Sequence, residues 1–510
     1  MLRQVKTENG WVRGIEAADP RITAFKGIPF AAPPVGKNRW RAPQPCENWD
    51  GVKECYRFAP ISMQWIPGLG TDIYCREWHV DPEIAMGEDC LYLNVWTNAK
   101  SADEKQPVLV WFFGGGLQCG YPAEMEFDGE RIARRGIVVV TVNYRVGALG
   151  FLTHPEITAQ QPDAPANFGN LDQQAGLRWV QRNIEAFGGD PEQVTIAGQS
   201  AGGGSVMSQV ACPDNGGLFK NAVVMSAMIF DPYLRREVGR PELLRDAEKK
   251  GEDFFTYLGV KNLEEARAMD AVTLQRSYEK YMESHVPFFT VQDDLFCVGD
   301  PIALYRQGKC VDVNMMAGST STEFMNTIDA KDEQGLEAEA RRLFGKKAAE
   351  FLQTPESRKA IPGQGYAPVS GIDCTVKGVL SDKAAQGKGG YCYCFDPDIP
   401  GWDNPGTFHS SDLWFWFETL AKCWRPFTGR HYDLARQMCD YFCNFIRSGN
   451  PNGKDLNGEE LPQWDKWSAE NPCTMRFTGE GAKAEHKSQT DFGKFITARI
   501  LERMNGLQAQ

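Results

Sequence analysis

Three short runs of uninterrupted apolar residues constrain this chain more than any other feature. Residues 107–113 read PVLVWFF and end in Gly114-Gly115-Gly116. Residues 136–142 read GIVVVTV and end at Asn143-Tyr144-Arg145, and 193–198 read QVTIAG. A strand with one face in water alternates apolar and polar residues, whereas a strand that is apolar throughout has both faces covered. These β-branched runs, bounded by glycine, therefore predict parallel strands buried between helices. Segment 170–187, NLDQQAGLRWVQRNIEAF, lies between the second and third runs. Its residues Leu171, Ala175, Leu177, Trp179, Val180 and Ile184 form a helical stripe, closed by Phe187-Gly188-Gly189-Asp190-Pro191. Strand, helix and strand at this spacing make a right-handed βαβ crossover. The expected fold class is α/β, with a large, mostly parallel central sheet covered by helices.

From about residue 235 the composition changes. Segments 236–285 and 330–360, rich in Arg, Glu, Lys and Ala, read as helical, and 361–375 and 449–463, rich in Gly, Pro and Asn, read as loops. No repeat or low-complexity linker divides the chain. The expectation is a single domain over 1–510, with insertions at about 230–290 and 325–385 forming a cap or rim. With 55 basic against 67 acidic residues the net charge is −12, which disfavours a polyanionic partner such as nucleic acid. No stretch approaches about 18 consecutive apolar residues, so no membrane-spanning helix is expected. The opening MLRQVKTENGWVRG has no apolar core of a secretory signal, and the expected location is cytoplasmic, the alternative being a secreted protein whose signal has been removed. Fifteen scattered cysteines lack the paired spacing of a metal site and read as small buried thiols.

The sharpest chemical signal is Gly198-Gln199-Ser200-Ala201-Gly202, which follows the run 193–198 and precedes the small-residue segment AGGGSVMSQVA. A serine on a strained strand-to-helix turn needs nearly bare neighbours two positions away, and its hydroxyl then faces the positive end of the helix. Serine is a poor nucleophile until a base takes its proton. The chain has six histidines, and the order nucleophile, carboxylate, histidine favours His409, His431 and His486. His486 lies in a charged run and reads as solvated; His431 lies near a helix start and reads as a cap or surface residue. His409, before the aromatic cluster Trp414-Phe415-Trp416, is the preferred base. Glu323, in a polar loop beyond a strand ending near Gly318, is the natural partner of the imidazole, with Asp293, Asp294 and Asp329 as competitors. Consecutive glycines at 114–116 let backbone N–H groups approach a ligand closely. With the N–H of Ala201, those of two of them would form an oxyanion hole, each donor worth about 3–4 kcal/mol.

These segments together resemble the type-B carboxylesterase family, α/β-hydrolases that include cholinesterases and bacterial p-nitrobenzyl esterases. The resemblance also runs through residues 25–31 (FKGIPFA), 33–36 (PPVG), 88–95 (EDCLYLNV), Asn143-Tyr144-Arg145 and Asn170-Leu171-Asp172-Gln173. It implies Ser200 as nucleophile, Glu323 as acid and His409 as base. It implies Gly115, Gly116 and Ala201 as oxyanion donors, and Ser226 as a serine supporting the triad by hydrogen bonding. Three positions depart from the family pattern. Phe113 stands where many members have His, which leaves the backbone donors intact. Gln199 stands where cholinesterases have Glu, which removes an anion suited to a quaternary ammonium. Ser62 stands where secreted members have a Cys that pairs with the equivalent of Cys90, which implies a free Cys90 unless Cys55 or Cys75 substitutes; this agrees with a reducing compartment.

The function expected is a serine carboxylic-ester hydrolase working through an acyl-enzyme on small to medium, aromatic or acyl, esters, without cofactor or metal. Phe113, Phe288, Phe289, Trp414 and Trp416, with Gln199, are candidates to line its pocket. The partner expected is a small-molecule ester, and the oligomeric state is left open. Two alternatives stand beside this reading. One is a lipase acting at a lipid interface, with a lid within 236–285. The other is a non-catalytic neuroligin-like binding protein, disfavoured because all three triad residues are present.

Overall fold

The structure, a computed structural model, describes residues 1–233 and 241–506. Its centre is an eleven-stranded sheet. Numbered in chain order, the strands are β1 (Ile15–Glu16), β2 (Thr23–Pro29), β3 (Tyr92–Thr97), β4 (Gln106–Phe112), β5 (Val138–Val142) and β6 (Gly189–Gln199). There follow β7 (Asn221–Met225), β8 (Asn314–Thr320), β9 (Tyr391–Phe395), β10 (Cys473–Thr478) and β11 (Gly481–His486). Their order across the sheet is β11-β10-β9-β8-β7-β6-β4-β5-β3-β2-β1. Pairing is parallel from β10 through to β5 and antiparallel at both margins.

The three apolar runs are β4, β5 and β6, neighbours at the centre of the sheet. Their side chains divide between two cores. Val108, Val110 and Phe112 enter one core with Val138, Val140, Val194 and Ile196, against the helices α1 (Phe168–Asn183) and α2 (Ala201–Ala211). Leu109, Trp111 and Phe113 enter the other with Val139 and Ala197, against helix α3 (Gly429–Ser448). Period-two alternation with both faces apolar is what a sheet between two helical layers requires.

The segments expected to be insertions hold helices Leu244–Leu258, Leu263–Ala268 and Ala271–Met282, then a small antiparallel sheet of Met325–Ile328, Gly365–Ser370 and Ala360–Ile361. Part of the first, 234–240, lies outside the described residues. The expectation of a loop at 361–375 is corrected: Gly365–Ser370 is a strand, and a helix begins at Gly371. The glycine there serves packing, since a Cβ on Gly371 would meet the Phe230 carbonyl oxygen at 2.0 Å. Ser370 caps the helix by accepting from the Asp373 N–H. Among the described residues no helix is long and apolar enough to cross a membrane. All fifteen cysteines are free thiols. Cys90 is fully buried, and burial pushes its thiol well above the ordinary range.

Candidate active site

The carboxyl ends of β6, β7 and β8 build one locus. Ser200 follows β6 with φ 56° and ψ −128°, a strained conformation for a residue with a side chain. Its N–H donates to the Met225 carbonyl at the end of β7. The flanking glycines are sterically required. A Cβ on Gly198 would lie 2.4 Å from the backbone of Gly202, and one on Gly202 would lie 2.1 Å from the Phe112 carbonyl oxygen. Helix α2 thus starts hard against β4 and β6, with Ser200 at its N-cap.

His409 arrives from the long loop after β9. Thr407, two residues earlier, is pinned because its carbonyl accepts from the hydroxyls of Thr320 (2.8 Å) and Thr322 (3.0 Å). The Nε2 of His409 lies 2.7 Å from Ser200 Oγ, and its Nδ1 meets Glu323 Oε2. Glu323, 2% exposed, follows β8, and its other oxygen accepts from the Thr320 N–H at 2.8 Å. A carboxylate only accepts, so Nδ1 carries the proton, and the Nε2 lone pair faces the serine hydroxyl. The Gln199 amide nitrogen is 3.4 Å from the same Nε2.

The glycine triplet closes the site from the β4 side. Gly115 and Gly116 have φ of 99° and 65°. A Cβ on Gly115 would meet the Cys119 carbonyl oxygen at 2.2 Å, and one on Gly114 would meet that of Gln199 at 2.8 Å. The loop is held at its far end by Gln64, whose amide bonds both the N–H and the carbonyl of Gly120 (2.8 and 3.1 Å). Ala201 is the first residue of α2, where an N–H has no helical partner.

The comparisons with known proteins concern the chain as a whole. The profile of the carboxylesterase family matches residues 2–361 and 370–495. The chain belongs to the carboxylesterase family. It is 29% identical to an acetylcholinesterase of Bungarus fasciatus, over 92% of this chain and 82% of that one. It is 29% identical to a cocaine esterase of Homo sapiens, over 91% of this chain and 86% of that one. A solved carboxylesterase of Geobacillus stearothermophilus superposes with a TM-score of 0.75 at 28% identity, covering 98% of this chain and all of that one. The protein is thus a carboxylic-ester hydrolase of the α/β-hydrolase fold.

Several sequence expectations are placed differently in this carboxylesterase. Phe113, Trp414 and Trp416 are buried in the core, not at a pocket wall. Phe113 stacks on Tyr144 with centroids 4.1 Å apart, and the Tyr144 hydroxyl donates to the Phe113 carbonyl (2.7 Å). Phe288 is buried against Tyr278. Only Phe289 of the five is exposed, at 44%. Phe324 was not foreseen; it is half exposed, and its ring lies 4.3 Å from that of His409. The hydrogen bond expected of Ser226 is absent: among the described residues its buried Oγ has no partner. Its N–H instead donates to the Gly318 carbonyl, and both Glu323 oxygens are occupied by other groups. His431 is a cap, as expected, but a buried one: it bonds the Thr428 N–H at the start of α3. His486 is exposed.

Asp412, three residues past His409, was missed because nothing in HSSD marks it. It is fully buried; Oδ2 accepts from Tyr393 and Trp416 (3.0 and 3.1 Å), while Oδ1 has no partner among the described residues. Burial, and secondly the nearby Glu323, push its carboxyl up to about 6, against the Trp416 and Tyr393 hydrogen bonds and the weaker pull of His409. Between about pH 4 and 6 the folded chain keeps a proton that the unfolded chain has released, so this group's contribution to stability falls as pH rises through that window. Asp412→Asn removes the effect. Relative to wild type, the variant is expected to gain about 3 kcal/mol between pH 4 and pH 7.5, read from urea unfolding at both values. A difference that does not change with pH would count against this account.

Proposed function

We propose that Ser200, His409 and Glu323 form the catalytic triad of this carboxylesterase, acting on small to medium esters with aromatic or acyl groups. The observation that carries the proposal is the 2.7 Å approach of His409 Nε2 to Ser200 Oγ. In the reading proposed, His409 takes the hydroxyl proton as Ser200 attacks the ester carbonyl. Glu323 holds the Nδ1–H tautomer and stabilises the imidazolium without taking its proton. The N–H groups of Gly115, Gly116 and Ala201 receive the oxyanion, aided by the positive end of α2. His409 then protonates the departing alcohol, and water repeats the sequence on the acyl-enzyme. Gln199 contributes no charge beside the nucleophile, which favours neutral esters over quaternary ammonium ones. The insertions at about 230–290 and 325–385 are read as the rim of one domain.

A fluorophosphonate ester tests this directly. Peptide mass spectrometry is expected to find one phosphonyl adduct per chain, on Ser200, with labelling strongly slowed in His409→Ala. An adduct on another residue, or none, would remove the assignment.

A further inference from the structure

Near His409 the surface carries two indoles in the open. Trp402 is 77% exposed, the highest value among the large apolar residues of the described chain, and Trp424 is 40% exposed. Their ring centroids are 6.3 Å apart. An exposed tryptophan on a loose loop would mean little, but this one is held. Arg425 donates to the Pro400 carbonyl (3.0 Å) and forks onto Asp403 (2.9 and 3.0 Å). It also pairs with Glu77, which accepts from the Trp424 indole N–H at 3.0 Å. Gly401 permits the arrangement, because a Cβ there would lie 2.5 Å from an Arg425 nitrogen. Arg76, from the neighbouring helix Tyr74–Glu77, lies over the Trp402 ring at 5.3 Å and reaches Asp403 at 3.4 Å.

The platform is linked to the site through Phe408. Arg425 sits over the ring of Phe408 at 5.4 Å, and Phe408 immediately precedes His409. Trp402 and His409 are seven residues apart, a separation of at most about 25 Å even for extended chain.

The surrounding charges select the ligand. Arg76 and Arg425 are balanced by Asp403 and Glu77. The cluster therefore offers no net attraction to an ion, and Arg76 already places a cation at the Trp402 ring. A purely hydrocarbon group would strip water from Arg76 and Asp403 without replacing its hydrogen bonds. A neutral ring with an apolar C–H face and a hydroxylated edge meets both demands: the face stacks on the exposed indole, and the hydroxyls meet Arg76 and Asp403. We propose that Trp402 and Trp424 bind a sugar ring in the alcohol half of the substrate, so that esters of oligosaccharides are the class this enzyme prefers. The catalytic part of this proposal rests on the Ser200 reading, whereas the binding part does not.

Two measurements separate the parts. Calorimetric titration of the Ser200→Ala protein with xylotriose is expected to show saturable binding on the order of 1 mM, weakened about tenfold or more by adding Trp402→Ala and largely restored by Trp402→Phe. In the Ser200-containing enzyme, Trp402→Ala is expected to lower kcat/KM for acetylated xylotriose about tenfold relative to that for hexyl acetate. No heat with xylotriose, or equal losses on the two esters, overturns the sugar platform. Failure of wild type to hydrolyse p-nitrophenyl acetate would overturn the Ser200 reading and leave the calorimetric result to decide the platform alone.

Discussion

Ser200→Ala is expected to reduce kcat/KM for p-nitrophenyl acetate by about 10⁴–10⁶-fold while leaving the fold intact. The large loss follows from chemistry: without Oγ there is no acyl-enzyme, and what survives is the residual catalysis of aligned amides acting on water. The intact fold follows from geometry. Position 200 already carries a Cβ at φ 56°, so alanine adds no backbone strain, and the side chain's hydrogen bond is to His409. Thermal unfolding should therefore stay close to wild type. Residues that act as one unit are not additive, so Ser200→Ala/His409→Ala should be little slower than Ser200→Ala alone. A Ser200→Ala protein that keeps a tenth of wild-type turnover, or a double variant that loses the sum of both effects, would break the triad apart.

How much of this was legible from residues alone depends on how local each constraint is. The elbow was legible because its cause lies within five residues: Gly198 and Gly202 are forced by contacts with adjacent backbone. β4, β5 and β6 were legible because a strand covered on both faces has no polar register to obscure it. The margins were not. β1 and β11 are short or half-exposed edge strands, whose pairing is decided by neighbours distant in the chain. Glu323 was one of several loop carboxylates until β8 and the loop before His409 fixed it. Four of the five aromatic pocket candidates are buried for a related reason. Trp414 and Trp416 lie on a single short turn, and which side of it meets the core is set by α3, pairing Trp416 with Phe442. Gln64 and Asp412 carried no motif at all, since a residue that braces another is defined by its partner's position.

The second large effect concerns the ion pair behind the elbow. Asp172→Ala is expected to destabilise the protein by about 3–5 kcal/mol. Arg145, just after β5, and Asp172, on α1, are 2% and 0% exposed. Asp172 accepts from the Arg145 backbone N–H (3.0 Å), from Nε (2.8 Å) and from Nη2 (2.7 Å). Burial pushes the Asp172 carboxyl up, and Arg145 offsets part of that. The guanidinium is nearly sealed from water, its side chain being 2% exposed, and a Cβ on Gly150 or Gly169 would meet the Arg145 carbonyl oxygen at 2.2 or 2.4 Å, so the backbone there is wedged in place. Removing Asp172 leaves a buried cation whose Nη1 already has no partner among the described residues and whose counter-charge is gone. The cost is therefore mostly that of the orphaned charge, not of the lost attraction. The double variant Asp172→Ala/Arg145→Met distinguishes the two. With neither charge present it should recover a large part of the loss, so the cycle shows strong positive coupling in urea unfolding. If the double variant instead loses as much as Asp172→Ala alone, with no recovery, the pair's own attraction is the main contribution and the argument from burial fails. Since α1 packs beside α2, the same orphaned charge should also loosen the support of Ser200, lowering kcat in Asp172→Ala at temperatures below its unfolding transition.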